Sequence, residues 1–177
     1  GGFGDLTLRL RFDPAAPARI IELSADTAGG GDGYHQKLAL IPEDRRSQGL
    51  IPRRSVRENV VLTHLRDFRR TPLLPAPHRR RETERTLQEI DRLQIATTGP
   101  TQVISTLSGG NQQKALLSRS LVGRATRVLL LDEPTKGVDV GAKTEILRLV
   151  SELAAEGTAV IIASSDLEEV AAIAHRV

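Results

Sequence analysis

Apolar positions are sparse and irregular over the first third of this chain and become strongly periodic in the last third. Residues 6–12 alternate apolar and other side chains in the manner of a short strand, and residues 19–23 form a second candidate. Residues 41–106 carry a mainly helical pattern. Ser55-Val56-Arg57-Glu58 is a capping box, in which Ser55 accepts from a backbone N–H and Glu58 reaches back, so it predicts a helix running to about Leu65. Pro72, Pro75 and Pro77 break the chain after it. A polar helix over residues 79–93 follows, with a thin stripe of Leu87, Ile90 and Gln94.

From residue 107 the pattern is regular. A helix after Gly110 carries Ala115, Leu116 and Leu121 on one side. Residues 128–131 are an unbroken apolar run, as expected of a strand covered on both faces. Ile146, Leu149, Val150 and Leu153 then make a helical stripe over residues 142–155, and Gly157 sits where a C-terminal cap belongs. Residues 158–163 read as a second buried strand. Ser165-Asp166-Leu167-Glu168 has the form of another capping box, opening a last helix. Strand, helix, strand at this spacing is a βαβ unit, hence a parallel sheet and an α/β fold.

The chemistry lies at the borders of these elements. Asp132 and Glu133 stand where the apolar strand ends, and in parallel sheets ligands bind beyond the carboxyl ends of the strands. An acid there holds a magnesium ion, and its neighbour, pointing the other way, polarises an attacking water. Leu107-Ser108-Gly109-Gly110-Asn111-Gln112-Gln113-Lys114 precedes a helix. Its glycines permit close backbone approach, and the helix start offers unpaired amides and a positive dipole end, which suits a terminal phosphate.

These segments together resemble the ATP-binding cassette ATPases. Residues 107–114 are similar to the family's signature motif and residues 128–135 to its Walker B strand. Gly137-Val138-Asp139 is similar to the D-loop that follows it. The signature's ending, with the run from Thr135 through Lys136 to Lys143, resembles the second cassette of ribose-, galactose- and xylose-type carbohydrate importers. Ile41-Pro42-Glu43-Asp44-Arg45 and Gln48-Gly49-Leu50 are similar to that subfamily's Q-loop. The resemblance covers residues 38–177. It implies a partial phosphate-loop NTPase-like core with a helical signature subdomain. Residues 1–40 are a poorly matched remnant of the core, residues 41–110 the Q-loop region and helical subdomain, and residues 107–177 the signature, Walker B, D-loop and switch region.

By the same resemblance, Asp132 is the metal ligand and Glu133 the catalytic carboxylate, with Ser165 at the switch position. Ser108, Gly109, Gly110, Asn111, Gln112, Gln113, Glu43 and Asp139 are implied to contact ATP, bound with Mg²⁺. Members of the family work as head-to-tail pairs, so a second cassette and membrane permease subunits are the implied partners, at the cytoplasmic face of the membrane. The implied function is coupling of ATP hydrolysis to carbohydrate import. A non-catalytic interaction half is the alternative.

Three departures qualify this. No segment fits Gly-x-x-x-x-Gly-Lys-Ser/Thr, the loop that cradles ATP's phosphates. Gly29 to Gly33 is glycine-rich but lacks the lysine and hydroxyl, and reads as a flexible surface loop, while Phe3-Gly4-Asp5 is compared with the end of the helix that follows the phosphate loop. Glu43 stands where most cassettes have Gln, and Ser165 where most have His, which leaves no imidazole to relay protons. Both departures also occur in the second cassettes that this chain resembles.

Composition changes the picture only at its edges. Absence of Met, even at the start, predicts a fragment or an excised domain; absence of Cys excludes disulfides and thiolate metal sites. No apolar run approaches the roughly 20 residues of a membrane-spanning helix. The net charge of +3, with three Phe and one Tyr, argues against a nucleic-acid surface, which would need clustered arginines interleaved with stacking rings.

Overall fold

The computed structural model describes residues 6–13, 16–27, 38–68, 76–122, 126 and 128–174. The glycine-rich stretch, Phe3-Gly4-Asp5, Pro72 and Pro75 lie outside the described residues.

Strands β1 (Leu6–Asp13) and β2 (Ala16–Thr27) pair antiparallel, longer than the alternation alone predicts. A second sheet is parallel, with β3 (Leu38–Ile41), β4 (Val128–Asp132) and β5 (Ala159–Ala163) in the order β3-β4-β5. Its central strand β4 is buried along its whole length, which is why its sequence shows no alternation. β2 lies against β4 and β5. The expectation of a second buried strand at residues 158–163 is corrected: among the described residues β5 pairs only with β4, and its residues are half-buried or exposed.

Helix α4 (Val140–Ala155) carries the chain from β4 to β5, burying Ile146, Leu149, Val150 and Leu153 as the stripe requires. It ends in a complete Schellman motif. Gly157, at φ 97°, donates to Ala154 O, and Thr158 donates to Leu153 O. α5 (Leu167–Ile173) follows β5.

The helical part is shorter than its pattern suggests. The Ser55–Glu58 box forms as expected, yet α1 (Val56–Val60) stops early and a 3₁₀ turn, Leu62–His64, replaces its continuation. The β-branched pair Val60 and Val61 is fully buried there, where core packing outweighs a weak helical preference. α2 (Arg79–Arg92) turns a polar face inward. Glu82, Thr86 and Glu89 are buried, whereas Leu87, expected on its apolar stripe, is exposed. Arginines accompany the two buried carboxylates. Arg57 meets Glu82 at 3.6 Å and Arg85 meets Glu89 at 2.8 Å. Arg85 also donates to the carbonyls of Leu121 and Val122, closing the C-terminal end of α3 (Gly109–Leu121).

α3 is the hub of the fold, with residues 112–118 all buried. Its first turn packs on α4 so closely that a Cβ on Gly110 would overlap that of Ala142. At its other end Arg119 donates to the carbonyls of Gly49 and Asn59, the latter at 2.8 Å. Asn59 in turn accepts from Ile51 N at 2.8 Å and donates to the carbonyls of Ile51 and Ser55, so one buried amide pins the whole 51–55 turn. Burial lowers the Arg119 guanidinium to about 10.

Replacing Arg119 by Met leaves two buried carbonyls without their charged donor and costs about 3 kcal/mol, read as a shift in the urea unfolding midpoint. Burial raises the Glu89 carboxyl, outweighing the lowering by Arg85 and Arg92. Its ionised form therefore opposes folding, so Glu89 favours the fold only at acid pH, and that contribution disappears as pH rises through its folded-state pKa. Glu89→Gln, isosteric with the protonated acid, matches the parent's stability at pH 4 and exceeds it at pH 7 in thermal unfolding.

Candidate functional site

The parallel sheet sets out its acids at the carboxyl end of β4. Asp132 is still in register with Ala163 of β5 and is 5% exposed. Glu133 leaves the strand in the left-handed region, at φ 47°, while its amide donates to Ala163 O at 2.8 Å. That conformation is uncommon for a residue with a side chain. Glu133 Oε1 then accepts from the backbone amide of Ser165 at 2.6 Å. The contribution of Ser165 is thus made by its main chain.

Ser165 does not form the expected capping box. Asp166 is the N-cap of α5, its Oδ1 accepting from Glu168 N and Glu169 N, because the Ser165 amide is already directed at Glu133. Behind this turn lies a buried network that the sequence reading did not identify. Glu169, 4% exposed, accepts from Thr135 Oγ1, from Ser164 Oγ at 3.0 Å and from Lys143 Nζ at 2.9 Å. Lys143 also pairs with Asp166 at 2.6 Å. Hydrogen bonds to these two carboxylates raise the Lys143 ammonium, and the bond from Lys143 is the main cause holding the Asp166 carboxyl low. The network ties the strand-end turn, α4 and the switch turn together. Thr135 and Lys143 stood at the two ends of a recognised run, but only the fold brings Glu169 between them.

The signature segment divides into an outward and an inward part. Ser108 is exposed and caps α3, its Oγ accepting from Asn111 N at 3.4 Å and from Asn111 Nδ2 at 2.8 Å. Asn111 Oδ1 accepts from Ala96 N at 2.7 Å. Gln112 is buried and donates to Leu107 O at 3.0 Å, and Gln113 is buried in the core. Lys114, equally buried, donates to Gln94 O at 3.0 Å and meets Glu145 at 2.6 Å. What faces outward is therefore Ser108, with half-exposed Gly109 and Asn111; the two glutamine side chains serve the fold.

The D-loop lies directly beside this helix start. Asp139 is exposed and caps α4, accepting from Ala142 N at 2.9 Å. Glu43 pairs with Lys136, whose ammonium is raised chiefly by that hydrogen bond. Arg45 lies in a π-helical turn (Arg45–Gly49), and its guanidinium donates to the carbonyls of Lys136 at 2.7 Å and Gly137 at 3.0 Å. The structure therefore gathers Glu43, Arg45, Lys136, Gly109 and Gly137 at one edge, and Glu133 with Ser165 at the strand tips.

Known proteins resemble the chain at both levels. In sequence it is 46% identical over 140 residues to the xylose import ATP-binding protein XylG of Pseudomonas syringae pv. tomato, covering 79% of this chain and 26% of that protein. Identity is 48% to the ribose import ATP-binding protein RbsA 2 of Streptomyces avermitilis, over 79% of this chain and 27% of that protein. For the arabinose import ATP-binding protein AraG of Pectobacterium atrosepticum it is 44%, over 82% and 28%. The chain thus spans about a quarter of the length of the curated relatives it matches. In structure it aligns with a dimeric, post-hydrolysis form of the ATP-binding cassette MJ0796 bound to ADP and Pi, at TM-score 0.61 and 21% identity, covering 85% of this chain and 66% of that one. This likeness establishes the α/β cassette fold. The sequence profile described as ABC transporter matches residues 23–136, more than half of the chain, and the chain belongs to that family.

Proposed function

We propose that this chain is part of a cassette that couples ATP binding and hydrolysis to carbohydrate import through a membrane permease. The segment divides as its sequence suggests, into a core remnant at residues 1–40, a Q-loop and helical region at 41–110, and the signature-to-switch region at 107–177. Its place is the second cassette of a twin ATPase, peripheral on the cytoplasmic face of the membrane. The relatives are import proteins for xylose, ribose and arabinose, which supports the carbohydrate class.

The observation that carries this reading is the exposure of Ser108 at the start of a helix otherwise sunk in the core. An exposed hydroxyl at a helix start, where the dipole is positive, is a cradle for an anion. Ser108, Gly109 and Asn111 would meet the terminal phosphate of ATP held by a partner cassette, with Asp139 beside them.

At the strand tips, the donor set fits magnesium that arrives with phosphate. Asp132 supplies one hard oxygen, and magnesium takes the rest of its ligands from phosphate and water. When bound, Mg²⁺–ATP supplies the phosphoryl group and the charge neutralisation that transfer to water requires. Glu133, oriented by the Ser165 amide, accepts a proton from water as its general base. Ser165 itself has no titrating side chain for a relay.

A second reading is favoured by one observation, the lack of a Gly-x-x-x-x-Gly-Lys-Ser/Thr segment. On that reading the chain is an interaction half that turns over no nucleotide.

Two measurements decide. In a pair with a phosphate-loop cassette, Ser108→Arg places a bulky cation at the helix start and lowers phosphate release about a hundredfold or more; unchanged turnover contradicts the shared site. By calorimetry the isolated chain binds ATP more weakly than about 0.1 mM, and the pair more tightly. A pair no better than its separate halves favours the interaction-only reading.

A further inference from the structure

Two ties join the Q-loop turn to the D-loop, and the inner one is unusual. Arg45 is 8% exposed, and its fork spans two successive carbonyls, Lys136 O and Gly137 O. Burial lowers its guanidinium from the usual arginine range, in line with a charge held by carbonyls rather than by a carboxylate. The third neighbour is the signature. A Cβ on Gly109 would stand 2.7 Å from Arg45 Nη2 and 2.9 Å from Gly137 O. Glycine is needed here because an arginine and a turn press against the helix start, whether or not a ligand approaches.

We propose that Arg45 is the positioning residue of the signature site, locking the D-loop turn to the start of α3 so that both meet the nucleotide as one rigid surface. This rests on the shared-site reading above. The outward groups, Ser108 and Asp139, cap two different helices. Their joint placement depends on how those helix starts are held to each other, and among the described residues Gly110 against Ala142 and the Lys114–Glu145 pair also join the two helices. Lysine is no substitute. Its compact ammonium lacks the planar fork that reaches both carbonyls.

The test follows amide exchange by NMR in this chain, at Asn111, bonded to Ser108 Oγ, and at Ala142, bonded to Asp139 Oδ1. In Arg45→Met both amides exchange about tenfold or more faster, while those of β4 keep their parent rates. Arg45→Lys moves both in the same direction. Gly109→Ala does so as well, by pressing on both the fork and the Gly137 carbonyl, and Arg45→Lys decides the matter if Arg45→Met fails to fold. Arg85→Met, which removes another arginine bonded to carbonyls but at the far end of α3, on Leu121 and Val122, leaves the ratio of these rates to those of β4 unchanged.

In pairing assays with a phosphate-loop cassette, Arg45→Lys weakens ATP-driven association about tenfold, and Arg85→Met does not. Parent exchange at both amides in all three edge variants, or faster exchange at only one of the two, overturns the lock. Parent-like pairing of Arg45→Lys overturns its positioning role. Normal pairing of Ser108→Arg would instead defeat the shared-site reading, with the lock itself still decided by the exchange rates.

Discussion

A strand covered on both faces admits polar side chains only where it comes to an end. In β4, Leu129, Leu130 and Leu131 are fully buried, and the chain changes to carboxylates at the point where the sheet stops. Asp132 remains within the ladder, and Glu133 takes a left-handed turn out of it. Every other part of the site is placed relative to that tip. The Ser165 amide reaches it from β5, the D-loop descends from it to α4, and α4 in turn carries the contact with α3. Removing the burial would leave the acids without a fixed direction.

The second constraint is that buried charge must be shared among several elements. Glu169 serves three donors from three segments, Arg119 joins α3 to the turn before α1, and Arg45 joins the Q-loop to the D-loop. Each is a long-range tie made by one side chain. A fold assembled this way is held at its loops as well as in its core. That matters for a protein whose proposed work is to bring two half-sites together and release them, since a loose half-site would dilute the energy of nucleotide binding into local ordering.

Much of this was legible in the sequence where local physics decides. The apolar run of β4, the α4 stripe, its glycine end and the Ser55 box depend on neighbouring residues, and all appear as expected. The failures are equally instructive. α1 yields to core packing at Val60 and Val61, and α2 hides a carboxylate face accompanied by arginines, such as Arg57 from elsewhere in the chain. The cap of α5 moves by one residue because a distant carboxylate takes the Ser165 amide. Motifs picked out the site residues as a group but could not sort them. Only the fold separates Ser108, facing outward, from Gln112 and Gln113, packed within, and only the fold aims Glu43 at Lys136.

The central claim is that the start of α3 contacts a phosphate carried by another cassette. Photo-cross-linking tests it most directly, using an ATP analogue reactive at its γ-phosphate, loaded on a phosphate-loop cassette and mixed with this chain. The account predicts label in the peptide containing Ser108 and Gly109, dependent on the partner. Label confined to the partner, or found on this chain only away from α3, would contradict it.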